Sequence, residues 1–494
     1  MPAPDRFEAR LARVLPFVTA ACFAVMLLSL QFGFLDRFFV TTWHGRLAFD
    51  YFSVPRAFVN LCRGVSVFAT PDGQYGPYAS WYPYHPALAV WLGGPLSLFK
   101  PWTGYAAFVA LSGTLLYFCA RLLGRFTDNP AARQAGYFIL MCSPAAYLML
   151  WCGQMHVFTV VSAALIMADL LDLLLVKTAR WNWRIGRYEL RPVLLAGLLL
   201  SLFSKPVLLL ILPALFAVPG YRATLLGGGA VYALVSVLFV LLPRLNPQGI
   251  GFDGLVSALL DPKTLFRPEK SGDIVFYTYK MEFVRDNAIH WLNMKSRSGF
   301  FEPEHMEFFS LSAFLAHLAG RPLSQRVYML PVYLMLVLSG GCYFIKNAEK
   351  RLACVITVCA LGLLGFYTSY AVVYEYHFVT LMPVLAAMLG LGYSRRGRAA
   401  FGVYGPAVFC AGGALLFAPT SYYWFLNPAY GFHRPELALL SPVYIPVFLS
   451  GGVYDWALDY IRVLRAVAVA GMLAGLLIAA RHTFAEGFKK EFYE

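Results

Sequence analysis

The sequence predicts an all-α polytopic membrane protein with about twelve transmembrane helices. Of its 494 residues, 59% are hydrophobic and only 13% are charged, whereas soluble globular chains carry about 25% charged residues. Uncharged apolar runs as long as a bilayer-spanning helix requires recur along the chain, and short basic loops separate them. These observations exclude an ordinary cytosolic protein.

The net charge of +14 comes from lysine and arginine residues that cluster in short loops and near the chain ends. This distribution follows the positive-inside rule for cytoplasmic loops. It predicts contact with anionic membrane lipids and no nucleic-acid partner. The basic clusters are Arg6, Arg10 and Arg13; Arg121, Arg125 and Arg133; Lys177, Arg180, Arg184, Arg187 and Arg191; Lys346, Lys350 and Arg351; Arg395, Arg396 and Arg398; and Arg481, Lys489 and Lys490.

The nine cysteines lie mostly within the apolar segments. They form no CxxC pair and no Cys/His spacing typical of zinc sites, so we predict no metal site. The first apolar segment, residues 14–35, is longer than a signal-peptide core, and no small-x-small cleavage site follows it. We therefore expect a retained membrane anchor.

Thirteen apolar segments follow one another along the chain. Because the basic N-terminus and the basic C-terminus should both face the cytoplasm, the number of crossings must be even. Residues 86–99 are short and contain Gly-Gly-Pro, and segments of this length are more often re-entrant or interfacial than spanning. Twelve spans remain. The thirteen segments are residues 14–35, 86–99, 101–120, 134–152, 155–176, 192–203, 205–219, 223–243, 327–345, 352–373, 377–393, 399–418 and 463–480.

This topology divides the chain into three regions. Residues 1–243 form an N-terminal module with seven spans, and its first outer loop is residues 36–85. Residues 244–326 form a long outer loop, and residues 327–494 form a C-terminal module with about five spans. The positive-inside rule applies to short loops, so it does not determine the side of this long loop, whose charges are balanced.

Polar groups from separate segments meet at the outer surface in this topology: the turn at Gln154, the region of Lys205 and the approach to His377. In an alternative topology, residues 192–219 form one tilted helix interrupted at Pro206. That alternative places the long loop inside and breaks the agreement with the later basic loops, so we disfavour it.

Asp50, in the stretch FDYFSVPRAFVNLCRG, is the candidate catalytic residue. It stands about fifteen residues past the first span, ahead of a segment that can form a short interfacial helix. Spacing alone also allows a solvated loop carboxylate, and Asp36 and Asp72 compete on the same loop. Asp169 and Asp172 lie deeper, towards the cytoplasmic side, and we expect them to serve contacts between helices or at the membrane interface.

Lys205 is the most informative charged residue within an apolar stretch, LLLSLFSKPVLLLILPALF. A charge in such a position is costly and marks a pathway, a site or a partner. The alternative is a lysine that snorkels to the interface. Pro206 breaks the helix where the ammonium can face an outer cavity, and a compact hydrated charge of this kind suits a phosphate.

Two further polar groups stand at the outer ends of predicted spans. Glu375 and His377 open the segment YAVVYEYHFVTLMPVLAAM, which begins with a Tyr/Glu/Tyr/His run at the membrane edge. Gln154 and His156, in WCGQMHVF, occupy a very short turn. The alternative role of Gln154 and His156 is to satisfy the free amides and carbonyls of helix ends.

Five short patterns occur in one order along the chain: FDYFSVPRAF, YPYHPALAVWLGGPLSLF, GQMHVFTVVSAALIMADLL, SKPVLLLILPALF and EYHFVTLMPVLAAM. In this order the chain resembles glycosyltransferase family 87 of the GT-C superfamily, membrane mannosyltransferases that use polyprenyl-phosphate-mannose. The resemblance covers most of residues 45–220 and a patch near 375–390. His85 stands where the family usually has a second proline, and His156 stands where asparagine is common.

The resemblance implies a GT-C fold whose active site faces outwards beneath the long loop. It implies that Asp50 is the general base of an inverting sugar transfer from a polyprenyl-phosphate donor, with mannose as the family's sugar. The expected acceptor is a glycolipid or a lipid-linked glycan. The expected location is the bacterial inner (plasma) membrane, with the site on the periplasmic or extracellular side, and no cofactor is expected.

The chemistry of such a transfer assigns roles to the remaining candidates. One positioned carboxylate can accept the proton of the attacking hydroxyl, and a single inverting displacement needs no second one. The leaving phosphate needs cations where its charge develops. The expected donor-phosphate ligands are Lys205, His377, Arg56 and His85, and the expected substrate contacts are Tyr82, Tyr84, Gln154, His156 and Glu375.

Two other classes of protein remain open at this point. A lipid-linked sugar flippase or transporter would carry charges along a central path and an internal repeat, and neither is evident in the sequence. A lipid-linked glycan ligase or polymerase with a polyprenyl-diphosphate donor would present several arginines in its large outer loop. The arginines in that loop are Arg244, Arg267, Arg285, Arg297 and Arg321.

Overall fold

The computed structural model describes most of the predicted spans and parts of the outer loops 36–85 and 244–326. The described residues are 6–35, 47–63, 67, 75–77, 82, 84–176, 182–185, 188–241, 310–319, 325–369, 373, 375–418 and 452–488. Most of the predicted outer loop 244–326 lies outside these residues, as do Asp36 and Asp72.

Within the described residues, eight helices are long and apolar enough to cross a membrane. The prediction of an all-α membrane protein is confirmed. A ninth span results if the pair Arg395–Phe401 and Tyr404–Phe417, bent by 97°, is counted as one, so twelve crossings stay a prediction. The eight helices are Arg6–Phe32, Pro101–Gly124, Pro130–Cys152, His156–Val176, Pro219–Phe239, Ala348–Thr368, Glu375–Tyr393 and Val463–Glu486.

Shorter elements connect these helices. One small antiparallel hairpin pairs Trp183–Ile185 with Tyr188–Leu190, and the sequence did not predict it. The shorter α-helices are Ser53–Cys62, Pro86–Leu88, Gly94–Ser97, Pro192–Phe203, Leu212–Leu215 and Leu311–Leu318. A π-helical turn lies at Ala89–Gly93, and 3₁₀ turns lie at Pro206–Ile211 and Pro219–Tyr221. Two longer helices are also present: Gln325–Phe344, whose apolar part is short, and the last helix, Gly452–Phe488.

The segment predicted not to cross, residues 86–99, forms three short helical pieces that end at Ser97. Twelve helical residues extend about 18 Å, which is less than the ~30 Å hydrocarbon thickness. A Cβ added at Gly93 would lie 2.5 Å from the carbonyl oxygen of Val54. The segment therefore packs closely on the helix Ser53–Cys62, as a re-entrant or interfacial element does.

The chain reverses direction at Lys205. Lys205 lies beside His156, at the start of the helix His156–Leu171. Tyr221 lies near the other end of that helix, where its hydroxyl donates to Asp169 at 2.5 Å. The two ends are about 20 Å apart. The segments 192–203 and 205–219 therefore run in opposite directions, and the alternative of one tilted helix is wrong.

The acids at this second end serve contacts between helices, as predicted. Arg191 donates to Asp169 at 2.9 Å, and Arg125 pairs with Asp172. Both acids are buried, and a buried carboxylate needs such a partner because isolated charges are costly to desolvate.

Burial distinguishes central helices from peripheral ones. In the most apolar 18-residue stretch of the helix Ala348–Thr368, 89% of the residues are buried. The corresponding share is 11% in Arg6–Phe32 and 22% in Pro219–Phe239. Apolar side chains that a water-soluble protein would bury point outwards on the peripheral helices, for example Phe17. These outer faces suit lipid contact, while the central helices form the core that carries the polar site.

Candidate active site

Asp50 lies on a tight turn, residues 47–52, which docks on the end of the helix Pro144–Cys152. The Ala48 amide donates to the Trp151 carbonyl at 2.8 Å, and the Asp50 amide donates to the Cys152 carbonyl at 3.0 Å. Ala48 has a φ of +62°, a conformation that costs about 1–3 kcal/mol and persists only where the surroundings enforce it. The helix end therefore fixes the backbone of Asp50.

Gly153 ends the same helix in the left-handed conformation, with a φ of +69°. A Cβ at this position would clash with the Cβ of Tyr51, so glycine is required both for the turn and for the close approach. The next residue, Gln154, is held by its amide, which donates to the Met149 carbonyl at 2.9 Å. The Gly-Gln turn thus delivers the Gln154 side chain to Asp50.

A chain of hydrogen bonds joins the predicted base to the predicted phosphate ligand. Gln154 Nε2 donates to Asp50 Oδ2. Gln154 Oε1 accepts from Lys205 Nζ at 3.1 Å and from Tyr84 Oη at 3.4 Å. Lys205 Nζ lies 3.2 Å from His156 Nδ1. Four of the predicted site residues therefore gather around the Lys205–Gln154 contact beside Asp50.

Lys205 reaches this position because the helix before it ends early. The helix Pro192–Phe203 stops at Ser204, and the backbone of Lys205 is extended. Pro206, which lacks an amide hydrogen, then starts a 3₁₀ turn. The Lys205 ammonium bonds to protein groups at Gln154 and His156, so the contacts do not favour the snorkelling alternative.

His377 approaches the same ammonium from the C-terminal half of the chain. It belongs to the 3₁₀ segment Glu375–Leu381, and its ring lies 4.6 Å from the ring of His156, measured between centroids. Lys205 Nζ lies 6.0 Å from the centroid of the Tyr376 ring, a distance compatible with a cation–π contact. Two imidazoles and an ammonium therefore stand together.

Glu375, predicted as a substrate contact, instead pairs with Arg465 in the last helix. Arg465 is fully buried, and it also donates to the carbonyls of Leu415, at 2.7 Å, and Ala418, at 3.0 Å. This pairing ties the His377 segment to the last helix. Sequence reasoning missed Arg465, although its charge close to the start of the apolar segment 463–480 was a signal.

The structure directs His85 towards a different set of neighbours. Its Nδ1 accepts from the Ala87 amide at 3.1 Å, as a helix cap, and its Nε2 lies 3.0 Å from Ser236 Oγ. Its ring contacts Phe203, Tyr232 and Phe239. These contacts hold the ring against the helix Arg222–Leu241, so the geometry does not favour its predicted role at the donor phosphate.

The other predicted residues of the first outer loop are buried. The Tyr82 hydroxyl donates to the His85 carbonyl at 2.8 Å, and its ring contacts that of Tyr84 edge-on, with the centroids 5.5 Å apart. Arg56 is buried in the helix Ser53–Cys62. Of these residues, Tyr84 is the one whose hydroxyl bonds to Gln154.

Burial raises the pKa of the Asp50 carboxyl from 3.8 to about 6. The positive charge of Lys205 and the hydrogen bond from Gln154 both act in the opposite direction, and burial outweighs them. A carboxylate with a pKa near the working pH accepts a proton more effectively than an ordinary aspartate does. The site therefore combines a carboxylate of raised pKa with one ammonium and two imidazoles.

Comparison of the chain with protein families, with curated proteins and with solved structures finds no match. Among the residues that the structure describes, no group of three or more His, Cys, Asp or Glu side chains could hold a metal ion.

Proposed function

We propose that the chain is an integral-membrane glycosyltransferase. It moves a sugar, mannose by the family resemblance, from a polyprenyl-phosphate donor to a hydroxyl of a glycolipid or lipid-linked glycan. The proposed site faces the periplasmic or extracellular side of a bacterial inner membrane. The GT-C fold, the polyprenyl-phosphate donor and the sugar in this proposal come from the family resemblance.

One observation carries this proposal: a carboxylate and an ammonium from distant parts of the chain meet through one side chain. Asp50 and Lys205 both bond to Gln154, and His156 and His377 lie beside the ammonium. A carboxylate next to an ammonium and two imidazoles suits a reaction in which one substrate loses a proton while the other releases an anion.

In the proposed reaction, Asp50 accepts the proton of the acceptor hydroxyl as the oxygen attacks the anomeric carbon. The new carbon–oxygen bond forms while the bond from the anomeric carbon to the phosphate oxygen breaks, and its electron pair leaves with the phosphate. The leaving polyprenyl phosphate gains a negative charge, which Lys205 and His377 stabilise. One displacement at one carbon inverts its configuration.

The membrane contributes orientation to this chemistry. The donor's lipid tail stays in hydrocarbon while its head group reaches the polar site at the membrane edge. Holding both substrates in one geometry can lower the barrier by several kcal/mol, whereas a general base alone contributes about 10²–10⁴-fold. The reaction needs no nucleotide and no metal ion.

Purified protein in liposomes tests the proposal. Labelled polyprenyl-phosphate sugars and polyprenyl-diphosphate glycans are supplied separately, with a lipid extract of the bacterial envelope as acceptor. We expect transfer from the monophosphate donor, reduced about 10²–10³-fold in Lys205→Met and unchanged in Lys100→Met, a control at an exposed lysine. Transfer from the diphosphate donor alone would contradict the proposal and indicate a ligase or polymerase. Label that crosses the bilayer without transfer would contradict it and indicate a flippase or transporter.

A further inference from the structure

A single buried amide separates the two charged groups of the site. Gln154 is 3% exposed, and its side chain bonds to the Asp50 carboxylate on one side and to the Lys205 ammonium on the other. The ion pairs found between described residues do not include Asp50 with Lys205. The two charges therefore meet through Gln154 and not directly.

The polarity of the amide fits this position in only one orientation. Its NH₂ group faces the Asp50 carboxylate, which can only accept when ionised, and its carbonyl oxygen faces the Lys205 ammonium, which can only donate. Tyr84 adds a second donor to the same oxygen, at 3.4 Å. A reversed amide would place like partial charges together at both ends, so the three groups fix one another.

Direct contact between the two charges would alter both of them. An ammonium against a carboxylate lowers the pKa of the acid by about 1–3 units, and it forms a charge-assisted hydrogen bond that occupies both groups. The carboxylate would then be a weaker base, and the ammonium would face an internal acid in place of a ligand.

We propose that Gln154 is a positioning residue that prevents the Asp50 carboxylate and the Lys205 ammonium from pairing directly. The carboxylate thereby stays available to an acceptor hydroxyl and the ammonium to a phosphate. The catalytic part of this inference rests on the proposed function, whereas the separation of the charges does not. The other titratable groups that face the two charges are Tyr84 in the first outer loop, Cys152 at the helix end, His156, and Tyr376 and His377 in the 3₁₀ segment.

Two substitutions distinguish a separating role from a merely structural one, because they move the pKa of Asp50 in opposite directions. Gln154→Ala removes the amide and opens space, so Lys205 can reach Asp50 and the pKa should fall by about 1–3 units from its parental value. Gln154→Leu removes the hydrogen bond but keeps the volume, so the pKa should rise. Gln154→Ser is a second small variant, with the same expected direction as alanine.

Infrared titration of the purified protein measures this pKa without any substrate. The carbonyl band of protonated Asp50 is isolated by subtracting the spectrum of the same protein carrying Asp50→Asn. Gln134→Leu, a partly exposed glutamine in the helix Pro130–Cys142, is the control and should leave the pKa unchanged. A pKa that stays at the parental value or rises in both Gln154→Ala and Gln154→Ser would overturn the inference.

The transfer assay separates this result from the proposed function. If the parent transfers sugar, the acid limb of its pH profile should move with the Asp50 pKa in each variant. If the parent transfers nothing while the infrared shifts appear in the expected directions, the separation of charges holds and the proposed function fails.

Discussion

Asp50 is subject to opposing influences at the scale of single residues. Burial disfavours its ionised form, while Lys205 and Gln154 favour that form. The result is a carboxylate that titrates near pH 6, far above an ordinary aspartate, and that is charged at neutral pH. It is this environment, more than the presence of an acid, that suits Asp50 to act as a base.

The pH dependence of transfer follows from this pKa. Below about pH 6 Asp50 is protonated and cannot accept a proton, so kcat/KM should fall tenfold per pH unit on the acid side and level off above about pH 7. Initial rates in liposomes between pH 4.5 and 8 measure this profile. An acid limb near pH 4, or a limb that persists in Asp50→Asn, would contradict the assignment.

Sequence reasoning found most residues of the site but not their partners. Lys205 and His377 could be named because an isolated lysine and a membrane-edge histidine are conspicuous in apolar surroundings. Asp50 is distinguished from Asp36 and Asp72 on the same loop by the family resemblance. The pairing of Glu375 with Arg465 could not be predicted, since 90 residues separate them and only packing brings them together. The same holds for the contact of His85 with Ser236.

At the scale of elements, the site depends on where helices stop. The helix Pro144–Cys152 ends at Gly153, and the helix Pro192–Phe203 ends before Lys205. Each end frees one polar side chain to enter the site. The proline after Lys205 and the glycine before Gln154 make both ends readable in the sequence, whereas the short hairpin had no comparable signal.

Gly153→Ala should disturb the site through the backbone. The residue has a positive φ, and a Cβ would clash with Tyr51, so we expect a loss of about 1–3 kcal/mol in the free energy of unfolding and a displaced Asp50 turn with reduced transfer. Thermal unfolding in detergent measures the stability. Gly227→Ala, where a Cβ meets nothing within 4 Å, is the matched control and should be neutral or stabilising. Equal effects of the two substitutions would contradict this account.

The ion pair between Glu375 and Arg465 holds the His377 segment against the last helix. Removing Arg465 deprives the buried Glu375 carboxylate of this cation, so Arg465→Met should reduce the free energy of unfolding by about 3–5 kcal/mol. The double variant Glu375→Gln/Arg465→Met removes both charges and should recover part of that loss, which unfolding measurements on all the variants would show. Additive losses would indicate that the two residues act independently.

At the scale of the whole molecule, one helix links two polar ends. The helix His156–Leu171 carries the Lys205 contact at its start and the Asp169–Arg191 ion pair near its end. Its central position follows from an apolar surface on every side, which the sequence shows. The sequence could not fix the number of crossings, because short helices such as Pro192–Phe203 and the bent pair at residues 395–417 are not long straight spans.

Cysteine labelling tests the predicted orientation of these ends. In a Cys62→Ser background, Lys100→Cys should react with a membrane-impermeant maleimide on intact cells, because residue 100 precedes a span that starts outside. Asp128→Cys and Asn347→Cys, at exposed positions in predicted cytoplasmic loops, should react only after permeabilisation. The reverse pattern would place the site on the cytoplasmic side.

Single-turnover transfer from a pre-bound, labelled polyprenyl-phosphate sugar, measured for the parent and for Asp50→Asn, tests the proposed role of Asp50 as general base. We expect Asp50→Asn to bind the donor with an unchanged Kd and to transfer the sugar about 10²–10⁴-fold more slowly. Asp128→Asn, an exposed control, should match the parent in both. Transfer by Asp50→Asn at the parental rate would rule out Asp50 as the general base.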